Sequence, residues 1–395
     1  MQKLQHVHGY DVFECGTEER EDLSDGSGRA DKREVIFVDR LRAAAVTLNP
    51  GIPAAQIDLA VERVAARRSA LTPDAANAEI YALIRDGVPV EFDDAQGRRQ
   101  HERVRLIDFA DTASPHNHFL AVAQLWIRGE KGFRRPDVLL YVNGLPLVFI
   151  ELKNSNVKLR GAYDDNLTTY RAEIPQLFLA NAVWILSNAL ETRVGSFSSD
   201  WEFFFPWLRD DDEKAKVDRA AGLRDGTSLE SALAGLLPKA RLLDYVENFV
   251  VYHRGRTKIV AQNHQFPGVN KAFAAFERRA ELAGKLGVFW HTQGSGKSFS
   301  MIFYARKIFR KLGAHFTFVI VTDRDDLDGQ IYRNFLDPGT VSKADARAAQ
   351  EQRGTAQISR AAKAARVYPD PEIPLAEGAD LPAAHRTPRC RRDRG

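Results

Sequence analysis

Hydrophobic and polar residues along the chain follow two patterns in turn, one typical of helices and one typical of buried strands. Near the start, apolar residues recur at intervals of three and four, which predicts amphipathic helices over 34–47, 53–69 and 75–85. Short apolar runs follow, and they predict the strands of one sheet at 104–109, 119–127, 137–141, 147–152 and 182–187. Together these elements predict an α/β domain over residues 1–209.

A second unit follows a charged segment rich in Ala and Gly at 210–240, which we interpret as a connection between domains. The predicted unit spans 241–335, and its patterned segments are apolar runs at 242–249, 258–262 and 288–290, helices at 269–281 and 299–311, and a buried strand at 316–322. From Leu336 onward large apolar residues are sparse. We therefore predict a disordered or non-native tail over 336–395.

The candidate chemistry begins at a predicted hairpin. The runs 137–141 and 147–152 flank Asn143-Gly144, a strong local signal for a tight turn between antiparallel strands. Because side chains alternate along a strand, Glu151 and Lys153 point to the same face, and the hairpin can place Asp137 beside them. Two carboxylates suit Mg²⁺, and a Lys can orient or deprotonate a water and offset charge on a phosphate.

These residues match the PD-(D/E)xK nuclease motif, with Asp137, Glu151 and Lys153 as catalytic residues and Asp137 and Glu151 as metal ligands. The alternative is an ordinary solvated strand end; the preceding Pro136 and the buried strand favour the site. In several nucleases of this class a Gln-x-x-x-Tyr helix follows, and here Asn166 and Tyr170 have that spacing. Asn166 is either a residue of the candidate site or a polar residue on the helix surface. Tyr170, taken alone, is typical of a packing residue.

A second signal is a glycine-rich turn, His291-Thr292-Gln293-Gly294-Ser295-Gly296-Lys297-Ser298, between a predicted strand at 288–290 and a predicted helix. A strand, turn and helix in this order present backbone N–H groups to phosphate. Gly294, Ser295 and Gly296 would form the turn, Lys297 would reach the β and γ phosphates of ATP, and Ser298 would bind Mg²⁺. The strand at 316–322 is expected beside the first strand of a parallel sheet. Gln265 could pair with adenine or be a polar loop residue.

Taken together, the chain resembles the restriction subunit of Type I restriction-modification enzymes, a superfamily 2 DNA translocase. The motifs that carry the resemblance are Arg135-Pro136-Asp137, Asn143-Gly144-Leu145-Pro146, Glu151-Leu152-Lys153-Asn154, His264-Gln265, His291 to Ser298, and Asp323-Arg324-Asp325-Asp326-Leu327-Asp328-Gly329-Gln330. The resemblance implies a PD-(D/E)xK nuclease domain followed by a P-loop RecA-like lobe. It assigns cleavage to Asp137, Glu151 and Lys153, adenine recognition to Gln265, ATP binding to 294–298, and DNA contact or motor coupling to Asp323 and Arg324.

The resemblance also implies Mg²⁺ and ATP as cofactors. Its implied partners are double-stranded DNA and the modification (methyltransferase) and specificity subunits. The family's Asp-Glu-x-His box and second lobe are missing from the sequence, so we expect an incomplete lobe from a truncated or frame-shifted gene, without ATPase or translocation. The rival hypothesis is a noncatalytic remnant that binds DNA or a partner. A repair helicase-nuclease is disfavoured because here the nuclease precedes the motor.

Bulk composition is compatible with this interpretation. The 395 residues are 44% hydrophobic, and a net charge of +3 permits DNA binding without requiring it. Basic patches at 98–99, 131–135 and 153–160 are candidates for DNA contact or plain solvated surface. Two distant cysteines, Cys15 and Cys390, form no metal or disulfide pattern. Without an apolar run of membrane-spanning length or a signal peptide, the chain is expected in the cytoplasm.

Overall fold

A seven-stranded sheet organises the first half of the protein. The computed structural model describes residues 1–110, 116–208, 227–253, 257–313, 316, 318–322, 346–348 and 363–367. In spatial order the strands of the sheet are β1 (Asp11–Glu14), β4 (Phe119–Ala123), β7 (Val138–Val142), β8 (Leu145–Leu152), β9 (Val183–Ser187), β10 (Thr192–Gly195) and β11 (Phe205–Pro206). Pairing is parallel for β1 with β4 and for β8 with β9, and antiparallel elsewhere.

Smaller hairpins lie outside this sheet. Their strands are β2 (Val88–Asp93) with β3 (Arg99–Val104), β5 (Ile127–Arg128) with β6 (Phe133–Arg134), and β12 (Val250–His253) with β13 (Thr257–Val260). The helices are α1 (Gln2–His6), α2 (Val38–Leu48), α3 (Ala54–Ala65), α4 (Pro73–Asp86), α5 (Leu159–Gly161), α6 (Thr168–Glu173), α7 (Ser228–Leu236), α8 (Lys239–Asn248), α9 (Gln265–Glu277) and α10 (Lys297–Leu312). Between α5 and α6 the chain forms a π-helical turn, Ala162–Leu167, and short 3₁₀ turns span Pro175–Phe178 and Trp201–Phe203.

The two faces of the sheet pack against different layers. One face contributes Leu140, Val148 and Ile185 to a core that also contains apolar residues of α2, α3, α4, α7, α8 and α10. The other face contributes Leu139, Phe149 and Trp184 to a core closed by the segment 159–178. Asp137 lies two residues before Leu139, and Glu151 lies two residues after Phe149. Strand alternation therefore places both on the face covered by α6.

The three early helices and the 143–144 hairpin are confirmed, with shifted ends for the helices. Asn143 and Gly144 have φ values of 52° and 83°, the left-handed conformation that this turn requires. A Cβ on Gly144 would lie 2.5 Å from the carbonyl oxygen of Phe37, so the close approach of α2 also requires glycine. Sequence therefore predicted both the turn and the strands that meet at it.

The strand predicted at 104–109 is wrong. Val104 ends β3, and the next residues are irregular because side chains, not a neighbouring strand, bond their backbone. Asn49 accepts from the Arg105 N–H at 2.9 Å and donates to the Arg105 carbonyl at 2.8 Å, while Asn117 accepts from the Asp108 N–H at 2.9 Å. Such amide side chains substitute for strand partners.

The predicted parallel pair in the second unit is also wrong. Residues 288–290 form no strand, and Val288 and Trp290 are 92% and 76% exposed. The later strand, β14 (Phe318–Thr322), instead pairs antiparallel with β16 (Lys363–Val367), which also pairs with β15 (Ala346–Ala348). Residues 288–290 have no strand partner among the described residues, so no ladder bonds their backbone.

The segment 210–240, predicted to connect two domains, contains helical structure in its second half. Residues 209–226 lie outside the described residues, but α7 and the start of α8 occupy the rest. Thr227 caps α7 through a reciprocal pair of hydrogen bonds with Glu230, and Leu236 and Leu237 are fully buried in the shared core. Beyond residue 336 only β15 and β16 are described, so the predicted tail otherwise lies outside the described residues.

Candidate active site

The hairpin brings Asp137 to the strand that carries Glu151 and Lys153. Asp137 Oδ2 accepts a 2.8 Å hydrogen bond from the backbone N–H of Leu152, and Asp137 Oδ1 accepts a 3.1 Å bond from Gln124 Nε2. Val138 pairs with Ile150 one step along the ladder. The carboxylate is thus fixed at both oxygens, next to Glu151.

Glu151 lies at the centre of the cluster and is only 2% exposed. Its Oε1 accepts a 2.9 Å bond from Lys153 Nζ and a second, short bond from Asn166 Nδ2. Its Oε2 is buried and accepts no hydrogen bond from any described residue. A buried carboxylate oxygen without a donor is costly, so its position calls for a ligand.

The electrostatics of Glu151 agree with this geometry. Burial raises the pKa of Glu151, and the nearby Asp137 carboxylate raises it further, while hydrogen bonds and charge from Lys153 and the bond from Asn166 lower it. The net direction is upward, because desolvation and like charge disfavour the ionised form. A bound cation would reverse both penalties.

Asn166 and Tyr170 both reach this cluster. Asn166 lies in the π-helical turn, a feature that often occurs at functional sites, and its amide contacts Glu151 directly. Tyr170 packs edge-on against Phe149 with ring centres 5.5 Å apart, and its auxiliary role in the nuclease site stays a prediction. Burial and the neighbouring Glu151 and Asp137 charges also raise the pKa of Tyr170, which keeps its hydroxyl protonated as a donor.

The donor set fits a hard divalent cation. Among the described residues no group of three or more His, Cys, Asp and Glu side chains converges as a ready metal site. Asp137 and Glu151 nevertheless supply carboxylate oxygens at one place, and the unsatisfied Oε2 of Glu151 would be available to hold such an ion. Magnesium commonly binds one or two carboxylates together with water and substrate phosphate, so two acids are sufficient.

A glycine turn and helix start form the candidate phosphate site in the second unit. Gly294 and Gly296 have φ values of 79° and 75°, and α10 begins at Lys297 directly after them. Lys297 is exposed and Ser298 half-buried in the first helical turn, where backbone N–H groups lack intrahelical acceptors. The predicted turn and helix are therefore present, although the predicted strand before them is not.

Gln265 lies against this turn. Its Nε2 donates to the Gly296 carbonyl at 2.9 Å and to Ser300 Oγ at 3.3 Å, and its Oε1 accepts from the Gln262 N–H at 2.9 Å. Its role in reading adenine stays a prediction. Asp323 and Arg324, the predicted coupling residues, lie outside the described residues.

Gln124 is a site residue that the sequence analysis did not identify. It lies one residue past β4 with a φ of 57°, and this left-handed conformation turns its amide toward Asp137. The sequence offered no signal, because a Gln at the end of an apolar run is ordinary. Only the pairing of β4 with β7 places it beside the carboxylate.

Two family models match parts of this chain. Residues 1–203 match the family model described as Type I restriction enzyme R protein N terminus. Residues 264–366 match the model described as SWI2/SNF2 ATPase, which extends past Leu336 into the predicted tail. No helix in the described part of the chain is long and apolar enough to cross a membrane.

Two curated relatives illustrate the similarity. The Type I restriction enzyme HindI endonuclease subunit of Haemophilus influenzae is 42% identical over 78% of this chain and 29% of its own length. The putative Type I restriction enzyme MjaIXP endonuclease subunit of Methanocaldococcus jannaschii is 34% identical over 65% of this chain and 26% of its own length. The chain thus spans under a third of the length of these relatives.

Proposed function

The chain belongs to the family of Type I restriction enzyme R proteins, and on that premise we propose that it contains the DNA-cleaving site of a Type I restriction endonuclease, joined to an ATP-binding region. The observation that carries the proposal is the Asp137, Glu151 and Lys153 cluster with its unsatisfied Glu151 oxygen. Mg²⁺ bound by Asp137 and Glu151 would polarise a phosphodiester and stabilise the charge that develops during hydrolysis.

Each side chain has a separate role in this proposal. Asp137 and Glu151 hold the ion, and the Leu152 N–H and Gln124 keep Asp137 in position. As an ammonium, Lys153 orients the attacking water and offsets charge on the phosphate; as a neutral amine it would instead accept the water proton. Asn166 fixes the Oε1 oxygen of Glu151, leaving Oε2 directed to the ion. The water oxygen bonds to phosphorus as the bond to the leaving oxygen breaks, the water releases a proton to Lys153 or to solvent, and the leaving oxygen takes up a proton from solvent.

The second unit is proposed to bind ATP in a superfamily 2 motor. Gly294, Ser295 and Gly296 shape the turn, Lys297 meets the phosphates, and Ser298 is the proposed Mg²⁺ ligand. Gln265 holds the turn through the Gly296 carbonyl, and the family resemblance assigns adenine recognition to the same residue. The SWI2/SNF2 ATPase match over residues that include this turn supports the assignment.

The proposed partners follow from the family. They are double-stranded DNA and the modification and specificity subunits of a Type I complex, with translocation as the activity of the complete motor. The proposed compartment is the cytoplasm. Names of the relatives state that they are Type I restriction endonuclease subunits, and this supports cleavage of DNA as the reaction.

Nicking of supercoiled plasmid DNA by the purified chain tests the nuclease proposal. We expect nicking with Mg²⁺, none with EDTA, and none for Asp137→Ala. Asp93→Ala is the matched control, because Asp93 is an exposed carboxylate on β2 whose charge is also removed. Absence of Mg²⁺-dependent nicking by the parent chain would favour the rival hypothesis of a noncatalytic binding remnant.

A further inference from the structure

Two arginines lie over one tryptophan immediately beside the candidate nuclease site. The guanidinium carbons of Arg20 and Arg135 are 5.6 Å and 4.8 Å from the ring centre of Trp126. We call Arg20, Trp126 and Arg135 the Trp126 cluster. The attraction between a guanidinium and the indole face restricts the orientation of each arginine.

The cluster is connected to Asp137 through the backbone. Arg135 precedes Asp137 by two residues, and Trp126 follows Gln124 by two. Gln124 bonds Asp137 twice, through its side chain at 3.1 Å and through its N–H to the Asp137 carbonyl at 3.0 Å. Trp126 Nε1 also donates to the Thr17 carbonyl at 3.1 Å, which anchors the loop that carries Arg20.

The charges of this cluster are not neutralised within the described part of the chain. Arg20 and Arg135 are exposed, and neither forms an ion pair with a described carboxylate. Arg160 and Arg193, which lie over Trp201, differ in this respect. They pair with Asp164 at 2.8 Å and Glu191 at 2.5 Å. The Trp126 cluster therefore offers two oriented cations whose charge is available to an external anion.

From this geometry we propose that the Trp126 cluster binds backbone phosphates of duplex DNA next to the phosphate that is cleaved. A planar guanidinium presents several N–H donors that match phosphate oxygens. Because two arginines already cover the indole, the cluster is suited to phosphate contact and not to stacking an unpaired base. The inference rests on the proposed nuclease function and names residues that position its substrate.

Binding of duplex DNA in EDTA tests the inference without requiring cleavage. The variant Arg20→Gln/Arg135→Gln is compared with Arg42→Gln/Arg63→Gln, which removes the same charge from α2 and α3 on the opposite face of the sheet. Arg42 pairs with Asp58, and Arg63 is exposed. We expect the first variant to raise Kd about tenfold and to reduce the dependence of log Kd on log salt by about two, as for two lost phosphate contacts. The control pair should change neither.

Equal effects in the two variants, or no duplex binding by the parent chain, would overturn the inference. Arg20→Lys/Arg135→Lys guards against misfolding: it keeps the charge and should preserve the salt dependence while weakening binding. The nuclease proposal fails separately. If the chain binds duplex DNA through the Trp126 cluster but never nicks DNA in Mg²⁺, the inference holds and the proposed function fails. If the chain nicks DNA in Mg²⁺ but the Trp126 cluster does not contribute to duplex binding, the proposed function holds and the inference fails.

Discussion

Asp137 Oδ2 accepts a 2.8 Å hydrogen bond from the backbone N–H of Leu152, the residue between Glu151 and Lys153. The bond ties the Asp137 carboxylate to the middle of the Glu151-Leu152-Lys153 triplet on the next strand. A main-chain donor cannot rotate away, so the distance between the two acids is set by the hairpin. This explains why both carboxylates are held close together although like charges repel.

Replacing Glu151 by Gln should stabilise the metal-free protein. Burial and the Asp137 charge raise the pKa of Glu151, so ionised Glu151 destabilises the fold. A raised folded pKa means that stability falls as pH rises above the unfolded value of 4.5. We therefore expect the Tm of Glu151→Gln in EDTA to exceed that of the parent at neutral pH. The difference in Tm between variant and parent should shrink as the pH approaches 4.5. Equal Tm values for the two proteins at neutral pH would contradict the prediction.

Removing the ammonium of Lys153 should abolish cleavage while DNA binding persists. Lys153 Nζ lies 2.9 Å from Glu151 Oε1, beside the site of attack. Loss of a positioned acid–base group lowers rates by about 10²–10⁴. We expect this loss of nicking rate for Lys153→Ala, with the Kd for duplex DNA within a few fold of the parent. Lys271 is exposed on α9, so Lys271→Ala removes the same charge at an exposed position. This control variant should nick DNA at the parent rate.

Asn166 should influence the Mg²⁺ requirement more than the fold. Its amide bonds the Oε1 oxygen of Glu151 from the π-helical turn. Loss of a residue that orients a metal ligand typically costs 10–100-fold in metal affinity or activity. For Asn166→Ala we expect the Mg²⁺ concentration for half-maximal nicking to rise about tenfold. Thr168 is exposed in the same segment, so Thr168→Ala serves as the control. An equal rise in the required Mg²⁺ concentration for both variants would exclude the proposed role of Asn166.

The sequence predicted that Asp137, Glu151 and Lys153 lie close together, because the signals for this arrangement are local. The Asn143-Gly144 turn, the apolar strand and the Glu-x-Lys spacing all lie within one hairpin, and strand alternation determines which side chains share a face. Gln124 was missed because its contact with Asp137 depends on the pairing of β4 with β7, which is not encoded nearby. The strand at 288–290 was wrong for a related reason: an apolar run forms a strand only when a neighbour bonds its backbone.

A buried ion network in the 25–32 loop should contribute strongly to stability. Asp25 accepts from Arg29 at 2.8 Å and Lys32 at 2.7 Å, and all three side chains are buried. Although burial raises the pKa of Asp25, hydrogen bonds from Lys32, Ser27 and Arg29 lower it to about 2. The network's contribution to stability is therefore present above the unfolded pKa of 3.8 and lost as pH falls through about 2.

Asp25→Asn should lower the free energy of unfolding by about 3–5 kcal/mol, because it leaves buried cations without a counter-charge. Urea unfolding at neutral pH measures this. Asp31→Asn is the matched control: Asp31 is a half-exposed partner of Arg33 at 3.6 Å, and its loss should cost under about 1 kcal/mol. Similar losses for the two variants would show that the buried network is not specially stabilising.

Gln265 lies close to Gly296, so the stability effects of substitutions at these two positions should be coupled. Gly294 and Gly296 both have positive φ, so alanine at either strains the backbone by about 1–2 kcal/mol. A Cβ at Gly294 meets nothing within 4 Å, whereas one at Gly296 would lie 2.9 Å from Gln265 Nε2. Gly296→Ala should therefore destabilise the protein more than Gly294→Ala.

Adding Gln265→Ala removes the clash, so the double variant should lose less stability than the sum of its single changes. Urea unfolding of the four proteins measures the coupling, and strict additivity would show that Gln265 does not constrain the turn.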